Sequence, residues 1–205
     1  MQPQRTLVLA TRNPGKTAEI IDLLKDFSIT IKNLDDFGPI PDVVEDGATF
    51  EENAYKKASQ TARVLGLPAM ADDSGLVVAA LDGAPGVLSA RYAGPQATDA
   101  DRCRRLLADM RGRTDRRAAF ECVISIAVPT GPALTYEARC EGLITQEPAG
   151  TNGFGYDPVF FVSELGKTVA QLPDEQKNAI SHRGNAIRKF KPLLAELLAH
   201  SQDGD

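Results

Sequence analysis

Two long strand-like stretches, residues 118–128 and 134–145, follow one another in the chain and are separated by a Pro-Thr-Gly-Pro turn. Both stretches alternate apolar and polar residues, and the turn residues between them indicate an antiparallel hairpin. Before this hairpin, short apolar runs alternate with helical patterns. Because strand–helix units combined with a hairpin build a sheet of mixed direction, the sequence predicts an α/β fold with helices flanking a mixed β-sheet.

Capping residues mark the predicted helix boundaries. Thr49 and Glu52 have capping-box spacing, and Gly66 ends the apolar pattern that follows them. Thr98 and Asp101 open another helix in the same way. The other predicted elements are strands near residues 7–10, 29–34 and 159–162, a helix from residues 13–15 onward, two strands in 68–81 that flank a turn at 72–75, and a final helix with a kink or break at Pro192.

The composition is that of an ordinary globular protein, with 205 residues, 42% hydrophobic residues and a net charge of −5. An acidic chain is not expected to bind a nucleic acid polymer or an anionic membrane with its whole surface. The three cysteines form no Cys-x-x-Cys pair, and we expect free thiols in a reducing compartment. Since no apolar run has the length of a signal peptide or a membrane span, we expect one cytoplasmic domain over residues 1–205.

The segment Ala10–Thr17 nearly matches the phosphate-loop pattern G-x-x-x-x-G-K-[ST], with Ala10 in place of the first glycine. A strand, a glycine-containing turn and a helix start that carries Lys16 suit a bound anion, through both charge and helix dipole. The missing glycine is a physical objection, because that residue lets backbone N–H groups wrap a phosphate. The alternative is an ordinary Asn-Pro-Gly turn followed by a solvated lysine, and the segment alone leaves both interpretations open.

Asp72 and Asp73 directly follow an apolar strand. A carboxylate at a strand end can hold Mg²⁺ or orient a water molecule beside a triphosphate. The competing interpretation is an ordinary acidic turn, which is the commoner meaning of a lone Asp-Asp pair. Further oxygen ligands could come from Glu45, Asp46, Glu51 and Glu52.

Two later segments could receive a nucleotide base. Residues 153–158 combine glycines with two aromatic rings. This arrangement lets a flat base stack on a ring, and the alternative is a tight turn whose rings fill the core. Residues 177–184 bring several cationic side chains to a predicted helix boundary, which favours a bound anion or oxo group. The basic stretch 102–117 contains no aromatic residue, and we predict a solvated helix face and loop there rather than a nucleic-acid surface.

Taken in order, these segments resemble the inosine triphosphate pyrophosphatase family over about residues 7–190. Each motif alone is modest, whereas the ordered set is highly specific. The matching segments are Leu9–Lys16, Thr49–Ala54, Ala71–Leu76, Gly83–Gly94, Glu147–Gly150, Gly153–Pro158 and Ile180–Gly184.

The resemblance implies Mg²⁺-dependent cleavage of ITP, dITP and XTP between the α- and β-phosphates, giving the monophosphate and pyrophosphate. Such an activity removes deaminated purine nucleotides before they enter DNA or RNA. The resemblance also implies a two-lobed mixed α/β fold with a central substrate cleft. The implied partners are a second copy of the chain, in a homodimer, and the small-molecule nucleotide.

The same resemblance implies roles for individual residues. Asp73 would accept a proton and hold the metal, and Lys16 would be the main cation at the triphosphate. Many relatives carry an acidic residue where this chain has Val44, so Glu45 is the second expected metal ligand. The implied substrate-binding residues are Thr11, Arg12, Asn13, Pro14, Gly15 and Lys16 at the phosphates, and Ser74, Phe154, Gly155, Tyr156, Asp157, Lys177, His182 and Arg183 elsewhere on the nucleotide.

Two other functions stay open on the residues themselves. A P-loop nucleotide kinase is suggested by Gly15-Lys16-Thr17, and it would transfer a phosphoryl group from ATP. A nucleotide-binding protein without catalysis would bind ITP and release no pyrophosphate. A donor-lined pocket would select a purine with a six-oxo group, because adenine's amino group would leave buried donors unpaired.

Overall fold

A computed structural model describes the backbone of residues 5–200 and the side chains of residues 6–194. By their contacts, the residues form two units. The first unit contains the chain up to Asp73, Val123–Ala138 and the residues from Arg183 onward. The second unit contains Ser74–Cys122 and Arg139–His182.

The described strands form a mixed seven-stranded sheet, which confirms the predicted fold class. The strands are β1 (Arg5–Leu9), β2 (Ile29–Asn33), β3 (Ala69–Val78), β4 (Arg117–Ala127), β5 (Ala133–Ile144), β6 (Phe160–Val162) and β7 (Lys167–Thr168). Their order is β2-β1-β3-β4-β5-β6-β7. β1 runs parallel to β2 and β3, with Leu7 opposite Ile31, whereas β5, β6 and β7 pair antiparallel.

The described helices are α1 (Pro14–Leu23), α2 (Phe50–Leu65), α3 (Asp99–Asp109), α4 (Asp174–Ile180) and α5 (His182–His200). Two of these helices, α2 and α3, start at the predicted capping residues. The Thr49 hydroxyl accepts from the amide of Glu52 at 3.1 Å, and Thr98 forms a full capping box with Asp101. Gly66 ends α2 in the left-handed region at φ 64°, a conformation that suits glycine.

Small side chains pack α2 against the sheet in the first unit. Ala58 and Ala62 are buried against Val8, Ala69 and Ala127. Such small residues bring the helix backbone close to the strands, so polar side chains one turn away on the same helix face can reach β3.

Larger side chains fill the core of the second unit. Leu106 of α3 is buried with Leu76, Phe120 and Phe160 of the strands. Phe120 and Phe160 lie 4.5 Å apart between ring centroids in a tilted arrangement. This core lies beneath the glycine-aromatic loop, because Tyr156 belongs to the same buried cluster.

One sequence prediction about local structure is wrong. The turn expected at residues 72–75 is absent, and β3 runs without interruption from Ala69 to Val78. Its apolar residues on both sides are buried, so pairing and burial keep the intervening polar residues extended. Of the kink or break predicted at Pro192, the break does not occur. Helix α5 continues to His200, and Phe190 and Leu194 are buried beside the proline.

Most of the basic stretch is a solvated helix face and loop, as predicted. Its exposed arginines are Arg104, Arg105, Arg111, Arg113 and Arg117. Arg116 is half-buried and donates to the backbone carbonyls of Ile144, Thr145 and Met110. Other arginines of this stretch pair with neighbouring carboxylates, as Arg105 does with Asp109 at 2.8 Å.

The three cysteines are free thiols, as predicted. Among the described residues, no helix is both long and apolar enough to span a membrane.

Candidate active site

The uninterrupted strand β3 sends Asp72 and Asp73 to opposite faces of the sheet, since side chains alternate along a strand. Asp73 follows Ala69 and Ala71 on the face that packs against α2. Both carboxylates are buried, with 2% and 7% of their surface exposed. Each therefore needs its own cationic partner, and each has one.

Lys57 is the partner of Asp73. Its Nζ lies 2.9 Å from Asp73 Oδ1 and 2.8 Å from Glu45 Oε2, and it donates to the carbonyl oxygen of Asp72 at 3.0 Å. Lys57 is itself buried in α2, so three acceptors surround one ammonium group. The two residues proposed from sequence as metal ligands, Asp73 and Glu45, are thus held by a single cation.

Lys57 was not predicted from the sequence. Its only signal is position, because it is a lysine on the buried face of a helix whose other buried residues are small or uncharged, such as Ala54 and Ala58. A long charged side chain at such a position is buried as a rule only when it is paired.

The shared lysine affects its two carboxylates differently. Burial raises the pKa of Asp73, and the charge and hydrogen bond of Lys57 oppose this rise without cancelling it. Burial also tends to raise the pKa of Glu45, but Lys57 outweighs it and the pKa is lowered. The pKa of Lys57 is raised because the two carboxylates outweigh the effect of its burial. The pKa values of the two acids are therefore shifted in opposite directions from their ordinary values.

Asp72 belongs to a second network, which contains two of the predicted substrate-binding residues. Lys16 forms an ion pair with Asp72 Oδ1. The Arg183 guanidinium donates to Asp72 Oδ2 at 3.0 Å and also binds Glu19. Arg183 is 1% exposed, so Asp72 and Glu19 neutralise a fully buried guanidinium. Sequence reasoning missed Glu19, which carries no motif signal.

The segment that nearly matches the phosphate-loop pattern forms a capped helix start. Asn13 Oδ1 accepts from the amides of Gly15 at 2.9 Å and Lys16 at 3.2 Å, and Pro14 occupies the first turn. Thr11 Oγ1 accepts in turn from the Asn13 amide at 3.1 Å. The Asn13 side chain therefore takes the amide hydrogen bonds that a phosphate would receive in a glycine-rich loop.

Arg12 is turned toward a neighbouring loop. Its guanidinium binds Asp35 and Asp42 and donates to the carbonyl of Ile40 at 3.2 Å. With 40% of its side chain exposed, this is a surface ion-pair cluster that anchors residues 35–42. Lys16, with 15% of its side chain exposed, is the more enclosed cation of this segment.

In the second unit, Asp157 organises the glycine-aromatic loop. Its Oδ2 accepts from the amide of Phe154 at 3.0 Å and from Lys177 Nζ at 2.7 Å. Gly153 has φ 75°, and a Cβ there would lie 2.1 Å from Asp157 Oδ2. Only glycine fits this close approach. The Gly155 amide is held by Asp99 at 2.7 Å.

The two rings of this loop have different environments. Tyr156 lies in the core with its hydroxyl donating to the carbonyl of Ser89 at 2.9 Å, and burial raises its pKa. Phe154 is only half-buried, and Lys177 Nζ lies 4.5 Å from its ring centroid. Phe154 is therefore the ring with an accessible surface. His182, at the start of α5, stacks on Phe120 at 4.9 Å between centroids.

Fold and side chains together define a mixed α/β protein with a buried aspartate–lysine pair beside an exposed glutamate, and with a helix start that carries a lysine. Such a site is suited to a metal-chelated anion. The family model of the Ham1 family matches residues 7–193. The chain belongs to this family.

Similar proteins support the family assignment. The "dITP/XTP pyrophosphatase" of Syntrophobacter fumaroxidans is 60% identical over 96% of this chain and 87% of its own length. The protein of the same name from Desulfotalea psychrophila is 58% identical over 94% of this chain and 86% of its own. The structure of a HAM1 protein from Coxiella burnetii has a TM-score of 0.87 and 46% identity, and the match covers 94% of this chain and 100% of that one. The resemblance predicted from the ordered motifs is confirmed.

Proposed function

We propose that this protein hydrolyses deaminated purine nucleoside triphosphates, namely ITP, dITP and XTP, to the monophosphate and pyrophosphate. Relatives named dITP/XTP pyrophosphatase match it over nearly its whole length. The observation that carries the proposal is the cluster in which the buried Lys57 ammonium bridges buried Asp73 and the more exposed Glu45, at 2.9 and 2.8 Å. The cellular role would be to keep these nucleotides out of DNA and RNA.

The donor set of this cluster fits Mg²⁺. Among the described residues, no group of three or more His, Cys, Asp or Glu side chains could form a metal cage. Mg²⁺ is usually held by one or two carboxylates together with substrate phosphates and water, and Asp73 and Glu45 supply that number. When bound there, Mg²⁺ would neutralise charge on the phosphate oxygens.

Asp73 would orient the attacking water and accept its proton. Its raised pKa supports this role, because a carboxylate with higher proton affinity is a better base at neutral pH. Lys16 would stabilise the charge that develops on the leaving pyrophosphate. Asp72 restrains the Lys16 ammonium through their ion pair, which would keep that charge near the helix start. The proposed triphosphate-binding segment also includes Thr11, Arg12, Asn13, Pro14 and Gly15.

The purine base would stack on Phe154. This ring is the accessible one of its loop, and Lys177 beside it could donate to an oxo group at the six-position. A donor in that place discriminates against adenine, whose amino group accepts no hydrogen bond. The proposed base site also includes Ser74, Gly155, Tyr156, Asp157, His182 and Arg183. We propose further that the enzyme is a cytoplasmic homodimer.

One assay tests the activity and separates the alternatives. The purified protein is incubated with Mg²⁺ and ITP, XTP, dITP, ATP or GTP, and pyrophosphate and orthophosphate are measured separately. The proposal expects pyrophosphate from ITP, XTP and dITP, with much slower turnover of ATP and GTP. Phosphoryl transfer from ATP to an acceptor would favour the nucleotide kinase. Saturable ITP binding with no pyrophosphate release would favour a non-catalytic binding protein.

A further inference from the structure

Asn53, in the first turn of α2, connects two parts of the candidate site. It is 3% exposed, and both ends of its amide are hydrogen-bonded. Oδ1 accepts from the backbone amide of Gly47 at 2.8 Å, and Nδ2 donates to Asp73 Oδ2 at 3.2 Å. The orientation of the amide is chemically determined, because only its oxygen can accept from an N–H and only its nitrogen can donate to a carboxylate.

The Gly47 side of this contact is unusually close. A Cβ at Gly47 would lie 2.6 Å from Asn53 Oδ1 and 2.8 Å from Glu52 Cβ. A side chain at position 47 would therefore clash, and only glycine fits. The next amide, of Ala48, donates to Glu52 Oε2 at 2.7 Å. Two consecutive amides thus tie the segment that carries Glu45 to the start of α2.

The Asp73 side completes the restraint. Asp73 Oδ1 is held by Lys57 at 2.9 Å and Oδ2 by Asn53 at 3.2 Å, so both oxygens have a fixed partner from the same helix. Asn53 and Lys57 are four residues apart and therefore lie on one face of α2. Two donors on a rigid helix define the plane of the carboxylate.

We propose that Asn53 is a positioning residue, which fixes the carboxylate of Asp73 and the segment bearing Glu45 relative to each other. The inference rests on the proposed function, because it takes these two acids as the metal ligands. Residues that orient metal ligands typically contribute about 10- to 100-fold in metal affinity or activity. Asn53 has no contact with Lys16 or Phe154 among those described, so its loss should affect kcat and metal binding more than the KM for nucleotide.

The central variant is Asn53→Leu, which keeps the approximate size of the side chain and removes both hydrogen bonds. Asn53→Asp keeps an acceptor for the Gly47 amide but places a carboxylate against Asp73. Thr61→Val is the matched control, because Thr61 is buried on the same face of α2 two turns further on. Asn53→Ala serves as a smaller second variant if circular dichroism shows that Asn53→Leu does not fold.

Each variant is measured for kcat, the KM for ITP and the Mg²⁺ concentration at half-maximal rate. Mn²⁺ binding in the presence of α,β-methylene-ITP is followed by electron paramagnetic resonance, which reports on the site without turnover. For Asn53→Leu we expect kcat to fall about 10- to 100-fold and Mn²⁺ to bind more weakly, with KM within about twofold of the wild type. For Asn53→Asp we expect reduced kcat with Mn²⁺ binding at least as tight as in the wild type.

Asp73→Asn is assayed in parallel, so that two kinds of failure are distinguishable. If Asn53→Leu matches Thr61→Val in kcat and in Mn²⁺ affinity while Asp73→Asn is inactive, the role of Asn53 is overturned and the proposed function stands. If the wild type releases no pyrophosphate, the proposed function fails. If the wild type is active and Asp73→Asn turns over normally, the function stands and Asp73 is not the base. The Mn²⁺ titration then decides alone whether Asn53 organises these two carboxylates.

Discussion

Removing the Lys57 ammonium should destabilise the protein strongly at neutral pH. In Lys57→Met the side chain keeps its apolar body and loses its charge, which leaves Asp73 buried with one fewer partner. Removing one partner of a buried ion pair costs about 3–5 kcal/mol. The Glu45 contact adds little, because 47% of that side chain is exposed and its ion pair is screened by solvent. We therefore expect a loss of about 3–4 kcal/mol in the free energy of unfolding.

The matched control is the neighbouring lysine. Lys56 binds Asp46 at 2.5 Å, but 37% and 67% of the two side chains are exposed. Lys56→Met should therefore cost at most about 1 kcal/mol. Urea denaturation at pH 7.5 measures both variants against the wild type, and the expected loss in Lys57→Met corresponds to a decrease in Tm of roughly 6–16 °C.

The loss should also depend on pH. Burial already raises the pKa of Asp73, and without Lys57 it would rise further above that of the unfolded chain. A group with a raised folded pKa stabilises the protein at pH values below its unfolded pKa, and this contribution is lost as the pH rises through the folded pKa. Lys57→Met should consequently lie closer to the wild type in stability at pH 5 than at pH 7.5. Equal costs for Lys57→Met and Lys56→Met at pH 7.5 would refute the buried-pair reasoning.

Three further substitutions test the site. Asp73→Asn should abolish pyrophosphate release from ITP while circular dichroism shows an intact fold, and near wild-type turnover would exclude Asp73 as the base. Phe154→Ala should raise the KM for ITP about 2- to 10-fold through lost stacking, with a smaller effect on kcat, and an unchanged KM would remove this ring from the base site. Gly153→Ala should lower Tm more than Gly155→Ala. Both glycines have positive φ, but only at Gly153 would the new Cβ meet a neighbour, 2.1 Å from Asp157 Oδ2.

Local signals predicted the helix starts well. Thr49 and Thr98 cap α2 and α3 as their sequence context indicates, because a cap involves residues only two or three positions apart. The turn expected around Asp72 and Asp73 is wrong for the complementary reason. Acidic and glycine residues favour a turn locally, whereas strand pairing and burial of the flanking apolar residues keep β3 straight. Such tertiary effects leave no local pattern.

The candidate site was predictable in its motifs but not in its connections. Lys16, Asp73 and the loop around Phe154 stand out by composition and spacing. The residues that hold the site together come from distant parts of the chain. Asn53 and Asp73 are 20 residues apart, and Asp72 and Arg183 are 111 residues apart. Spacings of this size follow from sheet order and helix packing, which a single sequence specifies only through the complete fold.

The alternation of β3 explains how an acidic chain can present a site for an anion. Because Asp72 and Asp73 face opposite sides of the sheet, they do not compete for one cation. Asp72 takes Lys16 and Arg183, whereas Asp73 takes Lys57. Counting Glu19 and Glu45, the two networks contain four carboxylates and three cations, so they are close to neutral. One bound divalent cation would make them net positive, and this local balance, rather than the net charge of −5, determines whether a triphosphate is attracted.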